Sequence, residues 1–193
     1  GGGVASIDAS TASRITQRFL FAGGRGDAGK LLALRTLLAG GGLAPPALVF
    51  VETQARAAAL LPELAAAAAS CPAASRLTID ALHGGRPQAE RSAAIRRYRT
   101  GAVGVLIATD VLGRGLDCPA TRTVLSFDAP SSPAAYVHRI GRTGRAGGGS
   151  IAHSTWPPDR HEGATCRATV RATGSAAAQS TAHASAKRRQ NCL

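Results

Sequence analysis

At 193 residues the chain suits one ordinary α/β domain plus a tail, and its 45% hydrophobic residues can furnish a core. No apolar run approaches membrane-spanning length and no signal peptide is visible, so no membrane partner is expected. The formal net charge is +12 and Lys30 and Lys187 are the only lysines, so arginine carries the excess; its planar fork suits phosphate, which points to nucleic acid or nucleotide, with a coding bias toward Ala, Gly and Arg as the alternative.

Residues 1–14 are small, polar and aperiodic, a loose lead-in. From Ile15 onward strand-like and helix-like segments alternate. Apolar β-type runs fall at Ile15–Ala22, Ala47–Val51, Leu77–Leu82, Val103–Ala108 and Thr123–Phe127, with a weaker one at Ser150–His153. Helical patterns lie between them, at Lys30–Ala39, Gln54–Ala69, Gln88–Arg99 and Pro133–Gly141. Such alternation predicts a mostly parallel sheet with helices on both faces, spanning residues 15–153. Ligands of such sheets sit beyond the carboxyl ends of the strands. Pro62 conflicts with its surroundings, because a mid-helix proline removes a hydrogen bond and predicts a kink or split in Gln54–Ala69. From residue 154 to 193 periodicity gives way to Ala, Ser, Thr, Gly and Arg, with a basic Lys187-Arg188-Arg189 cluster, and a disordered tail is expected. Cys71, Cys118, Cys166 and Cys192 lack metal-ligand spacing, so a reduced intracellular protein with no metal site of its own is expected. The sequence has no methionine, even at position 1, and is expected to be a fragment.

Gly24-Arg25-Gly26-Asp27-Ala28-Gly29-Lys30 imitates a phosphate-binding loop. The following residue should carry a hydroxyl to hold magnesium, and here it is Leu31. A glycine-rich connection that opens a helix is the better reading.

Three other segments carry chemistry. In His138-Arg139-Ile140-Gly141-Arg142-Thr143-Gly144-Arg145, arginines recur every third position, on one face if the segment is helical, and can neutralise charge that spreads over a transferring γ-phosphoryl group. Ala108–Asp117 starts where a strand ends, so Thr109 and backbone amides can meet phosphate oxygens and Asp117 can accept from ribose hydroxyls. After His83-Gly84-Gly85, Gln88 and Arg91 stand three apart at a helix start, where dipole and free amides favour phosphate. Any one of the three taken alone is more often a strand-end loop or a solvated helix face.

In order and spacing these segments, with Leu48-Val49-Phe50-Val51-Glu52-Thr53, resemble motifs IV, IVa, V and VI of DEAD-box RNA helicases, over about residues 15–152. The resemblance implies the C-terminal RecA-like lobe of an ATP-dependent RNA helicase that unwinds RNA or remodels RNA–protein particles. By position, Arg142 and Arg145 match catalytic arginine fingers. His138 and Arg139 match residues that couple the two lobes, and Asp117 matches a ribose contact of ATP. Gln88, Arg91 and Thr109, with Thr53 and Gly115, match contacts to the RNA backbone. Implied with them are ATP and Mg2+, held mainly by a first lobe that this chain lacks, and sequence-independent binding of single-stranded or duplex RNA. Gly29–Arg35 with Pro45–Val51 looks most like the nucleolar helicases of small-ribosomal-subunit assembly, which implies a pre-ribosomal partner and a nuclear, nucleolar site, the cytoplasm being the alternative. Rival readings are a stand-alone, non-catalytic RecA-like module that binds RNA or protein, and an inactive product of a truncated or frameshifted gene. In the family, the segment after Gly149 continues as a strand ending in aromatic residues and then a helix, which Trp156-Pro157-Pro158 and the tail do not follow.

Overall fold

The computed structural model describes residues 15–22, 26–110, 121–143 and 150–156. The lead-in, most of the tail, and the segments holding Gly115, Asp117 and Arg145 lie outside the described residues.

Six strands and four helices occupy the described chain: β1 (Ile15–Phe21), α1 (Gly26–Ala39), β2 (Ala47–Val51), α2 (Gln54–Ala69), β3 (Ile79–Leu82), α3 (Gln88–Arg99), β4 (Val105–Thr109), β5 (Thr123–Ser126), α4 (Pro133–Ile140) and β6 (Ser150–Trp156). All five strand pairings are parallel, in the order β1-β6-β5-β2-β4-β3. Strand progression reverses about β2, with β4 and β3 on one side and β5, β6 and β1 on the other. The exits of β2, β4 and β5 therefore share the centre of the carboxyl edge, where such sheets gather their ligands.

Period-two alternation assigns the faces. Ala47, Val49, Val51, Val105, Ile107 and Leu125 pack with Leu34 and Leu38 of α1 and with Ala57, Leu60 and Leu64 of α2. Their neighbours in sequence, Leu48, Phe50, Leu106, Ala108 and Val124, meet Ala94 and Tyr98 of α3. On that same face Ile15 and Ala152 receive Tyr136 and Ile140 of α4. Helices thus cover both sides, which accounts for central strand β2, Ala47–Val51, being apolar throughout.

Local chemistry sets the helix ends. Thr53, in extended conformation, caps α2 by accepting the Arg56 N–H at 3.1 Å. Ser132 caps α4 by accepting the Ala135 N–H at 3.1 Å, and Pro133 takes the first helical position, where its missing N–H costs nothing. Pro62 does not split α2, which runs unbroken from Gln54 to Ala69. The carbonyl that lacks its donor belongs to Ala58, and both residues are exposed, so water can take the place of the lost bond.

Several element bounds differ from the sequence expectation: β1, β5 and α4 each end one residue earlier and β4 is shifted to Val105–Thr109, while three further differences have a local cause. Helix α1 starts at Gly26 rather than Lys30, with Asp27 placed favourably in its first turn. The weak strand runs past His153 to Trp156, because β6 pairs with β1 in continuous register from Ile15 opposite Ser150 to Phe21 opposite Trp156. Strand β3 starts at Ile79, since the carbonyl of Thr78 already accepts the Gly104 and Val105 amides.

Candidate nucleotide and RNA interface

Helix α4 and the turn after it carry the arginine-rich segment, and the expected row of arginines does not share one environment. Arg139 is 2% exposed. Its Nε and Nη2 donate to Asp110 Oδ1 and Oδ2 at 2.7 and 2.8 Å, and its Nη1 donates to the Asp128 carbonyl at 2.6 Å. The guanidinium also lies 5.3 Å from the centroid of the Phe50 ring. The residue expected to bridge two lobes thus points into its own lobe, joining α4 to the exits of β4 and β5. His138, one position earlier, is exposed. Arg142 is half-buried in the turn, and its Nε donates a long bond to the His138 carbonyl at 3.4 Å. Thr143 fixes that turn from below: it is fully buried, and its hydroxyl lies 2.6 Å from the Thr121 carbonyl and 3.2 Å from that of Arg122.

The residues expected along an RNA track line the same edge of the sheet. Thr109, 7% exposed, closes β4 opposite Val51, and Thr53 follows the exit of β2. The Thr53 oxygen caps α2, which leaves its hydroxyl proton free to be donated. Helix α3 begins after Pro87 without a side-chain cap, so its first amides keep their donor capacity. Gln88 Nε2 donates to Ser92 Oγ at 3.3 Å. Arg91 is half-buried and its Nε, shielded from water, has no partner; neither has the Nδ1 of His83. Buried polar atoms without partners are uncommon, and the Arg91 Nε, a charged donor, is complementary to an anion.

Sequence reasoning passed over the residues that hold this loop in place. Arg86 Nη1 reaches Asp80 Oδ1 at 2.7 Å and the Ala81 carbonyl, while its Nε reaches Glu90 Oε2 at 3.0 Å. One side chain thus ties the end of β3 to the start of α3. The Asp80 hydrogen bond, aided by Glu90, raises the Arg86 pKa above its ordinary value despite partial burial. Gln54 lies against the turn itself: a Cβ on Gly84 would come 2.9 Å from its Nε2, and one on Gly85 3.0 Å from its Oε1. The glycines permit this close approach.

The imitation phosphate loop is also explained. Lys30 is 8% exposed and its ammonium stands 3.1 Å from Asp128 Oδ1. An ammonium already matched by a buried carboxylate is not displayed to a nucleotide. Among the described residues no three His, Cys, Asp or Glu side chains are grouped to hold a metal ion, and no helix is long and apolar enough to cross a membrane.

Comparison with known proteins gives this arrangement its kin. The family described as "Helicase conserved C-terminal domain" matches residues 29–147. The ATP-dependent RNA helicase ROK1 of Eremothecium gossypii is 41% identical over 135 residues, 70% of this chain and 22% of that protein. ROK1 of Pyricularia oryzae is 46% identical over 138 residues, 63% of this chain and 18% of that protein. The chain therefore spans about a fifth of the length of these relatives. Among solved structures, the C-terminal domain of the DEAD-box protein Dbp5 is similar with a TM-score of 0.69 at 31% identity, covering 83% of this chain and 86% of that one. The yeast DEAD-box splicing factor Prp28 is similar with a TM-score of 0.72 at 25% identity, covering 99% of this chain and 40% of that one. Since the family match takes in the helix of Lys30, the strand exits at the sheet's carboxyl edge and the turn of Arg142, the chain belongs to the helicase conserved C-terminal domain family, with the RecA-like fold of the C-terminal domain of DEAD-box proteins.

Proposed function

We propose that the chain acts as the second lobe of an ATP-dependent RNA helicase, closing with a first lobe on ATP, Mg2+ and RNA. The observation that carries this reading is the shared carboxyl edge: Thr53, Thr109 and the uncapped start of α3 with Arg91 line one side, and the turn of Arg142 follows the helix tied to the same strand exits. Thr53, Gln88, Arg91 and Thr109, with Gly115, would contact phosphates and 2′-hydroxyls, which makes binding independent of base sequence and sensitive to salt. From this lobe ATP would meet Arg142 and Arg145 at its γ-phosphate and Asp117 at its ribose; bound ATP supplies the phosphoryl group, and the arginines supply positive charge where negative charge grows during transfer. Exposed His138 suits a contact with the first lobe, whereas Arg139 would serve that contact indirectly, by holding α4. Mg2+ belongs in this reading to the first lobe.

Nucleolar assembly of the small ribosomal subunit, on a pre-ribosomal particle, is the setting we favour. The resemblance at Gly29–Arg35 and Pro45–Val51 supports it.

The test is to measure RNA binding and phosphate release by the chain alone and after joining it to a DEAD-box first lobe. Alone it should bind unrelated single-stranded RNAs with similar weak affinity and release no phosphate; joined, it should show RNA-stimulated turnover. Strong preference for one RNA sequence, or turnover by the chain alone that Lys30→Ala abolishes, would overturn the reading.

A further inference from the structure

One group of charged residues beside the interface joins helix α1 to two of the motif segments. Lys30 of α1 meets Asp128 Oδ1 at 3.1 Å and Asp27 Oδ1 at 3.8 Å. The second oxygen of Asp128 accepts the Glu52 N–H at 3.0 Å, at the exit of β2. Arg56 brings its Nε within 3.8 Å of that same oxygen and its Nη2 within 2.5 Å of Asp27 Oδ2. The Asp128 main-chain carbonyl accepts from Arg139, whose other donors hold Asp110. Lys30, Arg56 and Arg139 thus face Asp27, Asp128 and Asp110, and the charges balance.

Balance alone does not explain why charges stand there, because a buried ion pair is weak evidence for stability; an apolar replacement of similar volume often does as well. What the pair supplies is direction. With one carboxylate oxygen on Lys30 and the other on the Glu52 amide, the Asp128 side chain has no freedom to rotate, and that restricts its backbone. The carbonyl of the same residue is what orients Arg139 Nη1. Arg139 in turn offers its own carbonyl to the Arg142 N–H at 3.1 Å.

We propose that Lys30 is a positioning residue for Arg139, acting through Asp128, so that helix α1 sets the placement of the arginine-bearing turn at the far end of α4. The consequence for turnover rests on the role proposed for Arg142; the coupling of Lys30 to Arg139 does not.

The experiment uses the full chain labelled with 15N-arginine, reading the Arg139 Nε–H signal, which is assigned by its loss in Arg139→Lys. In Lys30→Met, of similar length but uncharged, that signal should shift and exchange with water at least about tenfold faster, because the anchored carbonyl loosens. Lys30→Arg should restore it. An unchanged Arg139 signal in folded Lys30→Met would overturn the proposal and leave Lys30 as a residue that merely seats α1. Should Lys30→Met not fold, the charge-neutral pair Lys30→Met with Asp128→Asn gives the same reading, since the amide side chain keeps an oxygen for the Glu52 N–H; an unchanged signal there overturns the proposal too. With a first lobe joined, Lys30→Met should lower kcat more than it alters the KM for ATP, with recovery in Lys30→Arg. A displaced Arg139 signal with unchanged turnover would uphold the coupling and count against the role of Arg142.

Discussion

Arg139 and Asp110 meet in a two-point fork, Nε to Oδ1 at 2.7 Å and Nη2 to Oδ2 at 2.8 Å, that joins the last turn of α4 to the exit of β4. Lysine cannot reproduce such a fork, and a buried guanidinium without its counter-charge is costly. Asp110→Ala should therefore lower the unfolding free energy by about 3 kcal/mol, and Arg139→Lys by about 2 kcal/mol. Urea denaturation measures both. If Asp110→Ala were as stable as the parent chain, the Asp128 carbonyl and Phe50 would suffice to hold the arginine.

Arg142 should behave in the opposite way. It is half-buried, and its side-chain bond to the His138 carbonyl, at 3.4 Å, is long. Arg142→Ala should leave the melting temperature nearly unchanged while lowering RNA-stimulated ATP turnover of the two-lobed protein by roughly 10³-fold or more. Thermal unfolding and steady-state phosphate release, measured on one preparation, separate the two effects; full activity would remove the arginine-finger assignment.

Arg91 gives a salt-dependence test. Its Nε is buried without a partner at the start of α3, so Arg91→Ala should weaken binding of unrelated single-stranded RNAs to a similar degree. The slope of log affinity against log salt should become shallower by about 0.7, the value for one phosphate no longer neutralised. An unchanged slope would place the phosphate track elsewhere.

A fourth test concerns pH. His153 on β6 is 1% exposed and both ring nitrogens lack a hydrogen-bond partner. Burial, reinforced by the nearby positive charge of Arg18 and opposed only in part by the Gly42 backbone, lowers its pKa to about 4. The unfolded chain takes up a proton near pH 6.5 while the native lobe does not, so stability is full above pH 6.5 and declines as pH falls toward 4. The loss at the lower end should approach roughly 3 kcal/mol. Urea denaturation at pH 7 and pH 5 would show it, and His153→Leu should flatten the dependence; an equal slope in that variant would assign the titration to another group.

Much of the architecture was legible because the elements have sharp local boundaries. Pro45-Pro46 ahead of Ala47–Val51, Thr53 ahead of Gln54–Ala69, and Pro87 ahead of Gln88–Arg99 each mark an observed start. The places of Thr53, Gln88, Arg91 and Thr109 were legible as well, since strand ends and helix starts are set by neighbours in the chain. What escaped was pairing at a distance. Lys30 and Asp128 meet across 98 positions, and no periodicity links them. The fate of Arg139 was hidden for a related reason: regular spacing of arginines suggests a shared face, but the helix ends at Ile140, so one arginine turns into the core while Arg142 sits in the turn. Which arginine is buried depends on Asp110 and Phe50, brought there by the sheet.

Among the described residues strand β1 has a single neighbour in the sheet, β6, and the two align over their full lengths. During synthesis β1 emerges before every other described strand and must remain unpaired until β6 has followed the whole of the fold between them. Pairing so distant in sequence forms late and slowly. An apolar segment waiting that long is a natural target for chaperones and for misassociation between nascent chains. A chain ending before Ser150 would keep every motif yet leave β1 with no place in the sheet, so its folding yield should fall well before its core residues are touched.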